Sequence, residues 1–256
     1  MKIQMRALPF IVTILLALVL MVYGAIPQLS HYHEFADQSS WQGVPHAMDV
    51  LSNIGFLVAA VLGLRYLVSS PKSHGYYGYA LFIFSILATS FCSSYYHLAP
   101  DDARLLWDRL PIALACAGLL AGVRAELLLT SSQGLRDVLL LVVFAVASVV
   151  WWQYSGDLRP YLALQILSLV LIPLWQSIYQ APLRQRLVFA WAIALYVLAK
   201  ICELNDTSIL NTLQVISGHS LKHLFAALAA GLIIWQLDGS NWSVTRLRSL
   251  TNRQSP

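Results

Sequence analysis

Two histidines stand four positions apart in the run Gly218-His219-Ser220-Leu221-Lys222-His223. On a helix that spacing sets side chains about 40° apart around the axis and about 6 Å along it, so both imidazoles reach one ion. Alone, HxxxH also fits interfacial packing or hydrogen bonding. A second run, Ser93-Ser94-Tyr95-Tyr96-His97, puts Ser93 one turn before His97 on the same helical face, where its hydroxyl can contact whatever His97 binds. Such a serine, taken singly, bonds the carbonyl one turn back. A third run, Leu105-Leu106-Trp107-Asp108-Arg109-Leu110-Pro111, adds a carboxylate; its plain structural role would be at a helix start or in a pair with Arg104 or Arg109. Jointly, His97, His219, His223, Asp108 and Ser93 fit an open zinc site. Three neutral imidazoles leave a position for water, lower that water's pKa toward about 7 and polarise a carbonyl. A structural zinc site is more often closed by a fourth protein ligand, so the open count points to hydrolysis.

The elements that hold these residues belong to a membrane bundle. Of 256 residues, 58% are hydrophobic and 11% charged, against roughly 45–50% and about 25% in soluble domains. With 12 acidic and 16 basic side chains the chain cannot cover a soluble globule, and the mean hydropathy of +0.66 excludes a disordered one. A hydrocarbon core about 30 Å thick needs about 20 apolar residues per crossing. Eight runs qualify: Leu8 to Ile26, Ala47 to Tyr66, Gly75 to His97, Leu105 to Val123, Leu135 to Trp152, Pro160 to Ile178, Leu187 to Cys202 and Leu213 to Leu237. They are apolar on every side, which excludes the alternation of barrel strands. The expected fold is all-α, a polytopic transmembrane helix bundle.

The first run follows Lys2 and Arg6 in the manner of a signal peptide. Val22-Tyr23-Gly24-Ala25, however, puts Tyr where a cleavage site wants a small residue, so the segment reads as an uncleaved helix. Residues 1–28 are then an N-terminal transmembrane helix, 29–237 a seven-helix membrane domain, and 238–256 a polar, frayed tail. Lys2, Arg6, Arg65, Lys72, Arg124, Arg136, Arg184, Arg186, Arg246, Arg248 and Arg253 fall on one side, and Arg104, Arg109, Arg159 and Lys200 on the other. The basic excess marks the cytoplasm. Both termini are therefore expected inside, with the candidate site toward the outer face. The net charge of +4 is an orientation signal, not a sign of a nucleic-acid partner. Cys92, Cys116 and Cys202 lie in apolar segments without paired spacing and read as small packing residues.

Ser93-x-x-x-His97, Asp108-Arg109-Leu110-Pro111 and His219-x-x-x-His223 together resemble the signature of the alkaline ceramidases and of the wider superfamily that includes progestin/adipoQ-type receptors. Val50-Leu51-Ser52-Asn53 resembles the ceramidases' N-x-x-S-N segment, with Asp49 in place of its first Asn. The resemblance extends from Ala47 onward, leaving the first helix as an addition to a seven-helix ceramidase-like core. It implies that His97, His219 and His223 bind zinc, that Ser93 is a supporting or oxyanion partner, and that Asp108 assists proton transfer. It also implies a long-chain N-acyl amino-alcohol such as ceramide as substrate, entering from the bilayer. Calcium-binding members carry an acidic cluster ending in a Glu where this chain has His46, and Asp37 and Trp41 do not reproduce that set. Calcium is therefore not expected. His31, His33 and His46 read as interfacial loop residues, and Lys222 as snorkelling to the head-group level.

Three readings follow: an intramembrane amidohydrolase, a receptor-like lipid sensor using the same zinc site, and a transporter with a proton relay. A relay normally runs through the membrane midplane, whereas these residues gather near one face. The short loops and the absence of an organelle address fit a bacterial inner membrane. No obligate protein partner is expected.

Overall fold

The computed structural model describes residues 2–69, 73–128 and 131–251, with the side chains of 2–4, 6, 131–133 and 238–251 outside the description. Lys72 and Arg253 therefore lie outside the described residues, as do the side chains of Lys2, Arg6, Arg246 and Arg248. In chain order the elements are α1 (Lys2–Tyr23), a hairpin of β1 (Ser40–Trp41) and β2 (Val44–Pro45), α2 (Ala47–Ser52), α3 (Ile54–Ser69), α4 (Tyr76–Leu98), α5 (Asp102–Leu128), α6 (Ser131–Ser155), α7 (Arg159–Ile178), α8 (Leu183–Leu204), α9 (Asp206–Leu213) and α10 (Gly218–Thr251). Among the described residues seven helices are long and apolar enough to cross a membrane, beginning with Ala47–Ser69, which joins α2 and α3. The protein is an all-α, multi-pass membrane bundle.

Four boundaries differ from the sequence expectation, each for a local reason. The first apolar helix stops at Tyr23 because Gly24 turns the chain with φ +88°, and its described apolar stretch, Ala7–Tyr23, is shorter than the other seven. The second run breaks between α2 and α3: the Ser52 hydroxyl and the Asn53 amide both donate to the Asp49 carbonyl, at 2.9 Å each, competing with helical bonding. The fourth begins at Asp102, where the Asp101 carboxylate accepts the Arg104 N–H at 2.7 Å, so Asp108 stands nearly two turns inside α5 rather than at its start. The last does not begin at Leu213. Residues 206–213 form the separate α9, Gln214 leaves it with φ +60°, and α10 starts at Gly218, continuing as helical backbone through residues placed beforehand in a frayed tail.

Close approach of α4 and α5 fixes the centre of the bundle. A Cβ on Gly78 would stand 2.5 Å from the Gly122 Cα and 2.7 Å from the Gly118 carbonyl oxygen, so only glycine lets these backbones touch. Around this seam a single buried cluster, including Phe82, Ile83, Leu120, Leu164 and Ile233, joins α3, α4, α5, α7 and α10. At the end of α5 far from Asp108, Glu126 accepts hydrogen bonds from Tyr79 and Gln185, and Arg124 pairs with Asp137. α1 lies along α7. Arg159 donates to the Leu20 carbonyl at 3.2 Å, the Ile26 N–H donates to Asp157 at 3.1 Å, and the Leu158 N–H to the Ile26 carbonyl at 2.8 Å. Burial raises the Asp157 carboxyl, but hydrogen bonds from Arg159, Ile26 and Trp151 outweigh it and hold the group well below the ordinary carboxylate range.

Candidate metal centre

His97 ends α4, and His219 and His223 occupy the first two turns of α10; one nitrogen from each lies within 4.8 Å of the others. All three are buried. The rings meet edge to face, with centroids 4.8 to 5.0 Å apart. Tetrahedral zinc bonded at about 2.0–2.1 Å sets neighbouring ligand atoms about 3.3 Å apart. The separations of up to 4.8 Å are wider than that, so the rings would draw together to bind an ion. The Nδ1 of His97 is buried with no hydrogen-bond partner, an unmet polar atom of the kind a ligand satisfies. The group can therefore hold a metal ion, and the residues fit one taken up by nitrogen donors.

The hydrogen bonds also set two of the imidazole protonation states. His223 Nδ1 faces the Ser52 hydroxyl at 2.8 Å and the Asp49 carbonyl at 3.2 Å. A carbonyl only accepts, and the Ser52 proton is already directed to that same carbonyl, so Nδ1 carries the hydrogen and Nε2 keeps its lone pair. His219 Nε2 lies 3.2 Å from the Lys222 ammonium, which only donates, so this nitrogen is bare. Lys222 does not snorkel: it is held by Glu203 at 2.7 Å, which also takes Lys200 at 2.6 Å.

Local sequence explains how the two ends of the triad are registered. Ser217 caps α10, accepting the Ser220 N–H at 2.9 Å, and both serine hydroxyls donate to Asp49, at 3.0 and 2.6 Å. Asp206 accepts the His219 N–H at 2.7 Å and, through its other oxygen, the Ala36 N–H at 2.9 Å. A Cβ on Gly218 would stand 2.7 Å from the Asp206 Cα, so glycine permits this junction. Asp37 in turn takes the N–H groups of Met48 and Asp49 at the start of α2. Burial raises its carboxyl, and these bonds with those of Ser39 prevail and lower it.

The expected partners fall beside the triad. Ser93, one turn before His97, is buried with its hydroxyl in contact with the Asp108 carboxylate. Both line a cavity of about 290 Å³, and His223, Arg109, Lys200 and Lys222 complete its polar end. The remaining wall is mostly apolar, with Phe82, Ile86, Ile112, Leu162 and Ile233, and is interrupted by Thr89, Gln165 and Ser168. His33 bonds the Tyr96 hydroxyl at 2.9 Å and Asp102 at 3.1 Å, and His46 bonds the Asp37 carbonyl at 2.5 Å. These two loop histidines therefore brace segment 24–46 and stay out of the triad; His31 lies exposed in the same segment.

Sequence reasoning missed Phe35, whose ring sits edge-on to His97 and His219 at 4.6 and 4.5 Å. It also missed the anchors Asp206 and Glu203. Glu203 was detectable, as an acid between two lysines of neighbouring apolar segments. Phe35 carried no signal, because one aromatic in a polar loop has no period to read. No protein-family model matches the sequence, and no curated protein matches it.

Proposed function

We propose that this protein is a zinc-dependent intramembrane hydrolase that cleaves the amide bond of an N-acyl lipid such as ceramide, releasing a fatty acid and a long-chain base. This is the reaction implied by the likeness of its motifs to those of the alkaline ceramidases. One observation carries the reading: three buried imidazoles bring ligand nitrogens within 4.8 Å of one another, and one of them, His223, lines a largely apolar cavity together with Ser93 and Asp108. His97, His219 and His223 would hold the zinc, which supplies a Lewis acid for the amide carbonyl and brings a water's pKa toward about 7.

Everything else is done by side chains of this chain. The apolar wall holds the acyl chain and keeps bulk water from the amide. Asp108 takes a proton from the attacking water as its oxygen adds to the carbonyl carbon. Once Asp108 is protonated, the Ser93 hydroxyl no longer has an anion to bond there, and it turns its O–H to the developing oxyanion. The C–N bond then breaks and Asp108 returns its proton to the departing nitrogen, giving an amine and a carboxylic acid. The Lys and Arg excess in the segments opposite the site supports an orientation with both termini in the cytoplasm, the membrane being a bacterial inner membrane and the site lying toward its outer face.

The test is hydrolysis of labelled N-acyl sphingoid lipid by purified protein, with metal content measured on the same sample. Wild type releases labelled fatty acid, while His219→Ala and metal-stripped protein do not. Full turnover in either would overturn the mechanism, and lipid binding without turnover in the zinc-loaded wild type would replace it with a receptor-like role.

A further inference from the structure

Among the described residues Arg109 is a buried charge with no hydrogen-bond acceptor. It is 3% exposed, lines the cavity beside Asp108, and forms no hydrogen bond or ion pair among the described residues. Its Nη1 is buried without an acceptor. Three aromatic rings hold the guanidinium in place: Trp152 at 3.9 Å, Tyr32 at 5.2 Å and Tyr161 at 5.6 Å from their centroids. Such contacts stabilise the cation but satisfy none of its five N–H donors. Nearby carboxylates are committed elsewhere, since Glu203 carries both Lys200 and Lys222, and Asp108 contacts Ser93. The Asp108 charge acts on Arg109 without pairing with it, and a buried guanidinium without an acceptor is costly, so its retention beside a cavity points to an anion delivered by the ligand.

Resting on the hydrolase reading and narrowing its substrate class, we infer that among N-acyl lipids the preferred substrate is not a neutral amide such as ceramide but an acidic one, an N-acyl amino acid, whose head-group carboxylate is bound by Arg109. The geometry favours a carboxylate. The guanidinium carbon stands over the Trp152 ring, leaving in-plane N–H groups for a planar, bidentate acceptor, and the single charge of Arg109 matches a monoanion. In an N-acyl amino acid the carboxylate carbon is two bonds from the amide nitrogen. Asp108 and Arg109 are consecutive on α5, so the group that returns the proton to that nitrogen and the cation that binds the carboxylate stand one residue apart. A neutral amino-alcohol amide would leave the guanidinium bare.

The experiment compares N-palmitoylglycine with N-palmitoylethanolamine, which share an acyl chain and differ in head-group charge. It uses zinc-loaded wild type, Arg109→Gln and Arg109→Lys, the last keeping the charge without the planar fork. The readouts are kcat/KM for each amide and equilibrium binding of each amide to metal-stripped protein. Wild type is expected to favour the acidic amide, and Arg109→Gln to lower the acidic-to-neutral ratio by about 10- to 100-fold in both readouts. Arg109→Lys is expected to fall between, and it serves alone if the glutamine variant does not fold. An acidic-to-neutral ratio unchanged in both variants overturns the inference while leaving amide hydrolysis standing. Selective binding of the acidic amide, lost in Arg109→Gln but without turnover of either compound, overturns the hydrolase and keeps the carboxylate site. Palmitate binding is the third arm. Weaker palmitate binding in Arg109→Gln with an unchanged amide ratio assigns Arg109 to the product's carboxylate and refutes the head-group assignment.

Discussion

Removing the hydroxyl of Ser52 should weaken metal binding without touching a ligand. His223 Nδ1–H has two acceptors, the Ser52 oxygen at 2.8 Å and the Asp49 carbonyl at 3.2 Å. Ser52→Ala deletes the shorter and leaves the longer, so the tautomer that presents Nε2 to the triad survives while the ring loses its closer restraint. Losing a hydrogen bond behind a metal-bound histidine typically costs about 10- to 100-fold in affinity, and with one acceptor remaining we expect about tenfold. Zinc affinity would be measured by competition with a chromophoric chelator on purified, detergent-solubilised protein, with thermal melting as a check on folding. Ser52→Thr keeps the hydroxyl and should stay close to wild type, whereas His223→Ala removes a ligand and should bind far more weakly than Ser52→Ala. Wild-type affinity in a folded Ser52→Ala protein would refute the argument that this bond orients His223. A loss as large as that of His223→Ala would instead mean that the α2–α10 contact had come apart.

On the proposed hydrolase reading, Asp108→Asn should retain metal and lose turnover by about 10²- to 10⁴-fold, the usual range for a general acid–base group, as read by metal analysis and hydrolysis on one preparation. Gly78→Ala should destabilise the bundle by about 1–3 kcal/mol, because the added methyl meets the backbone of α5, and a lowered melting temperature would show it. Asp157 has a folded-state pKa below its ordinary value of 3.8. Its contribution to stability is therefore complete above that value and fades as the pH falls beneath it. Melting followed from about pH 5 down to about pH 2.5 should show a shallower acid loss in Asp157→Asn than in wild type.

The spans were legible because membrane insertion imposes length and apolarity residue by residue, and these are local quantities. Seven of the eight runs became long apolar helices within a few residues of their expected positions. Where expectation slipped, at Asn53, Asp102 and Leu213, the deciding interactions were side chains bonding to backbone, which hydropathy does not register. Ser217 could have located the start of α10, since a serine three residues before Ser220 at the edge of an apolar run is a capping pattern. The triad was legible for a different reason. Histidines four apart share a helix face, and the expected placement of His97 at the same end of the bundle leaves few positions for it other than beside them.

What stayed hidden is the work of segment 24–46, and that work bears on how such a site can exist in a membrane protein. Three imidazoles at the aqueous end of a bundle would be hydrated if nothing lay against them. Phe35 is set edge-on to His97 and His219, and the segment carrying it is fastened to three separate elements: by Ala36 to Asp206, by Asp37 to the start of α2, and by His33 to Tyr96. Two of these fastenings join residues 170 and 63 positions apart and the third spans 11 across the hairpin, so hydropathy and helical period do not announce them. The consequence is electrostatic. With water reduced around the triad, the fields of Asp108, Arg109 and Lys222 act in a lower dielectric and are stronger than they would be at an open surface. On that argument the loop belongs to the site as much as the helices do, and Phe35→Ala should admit water there without removing any polar group.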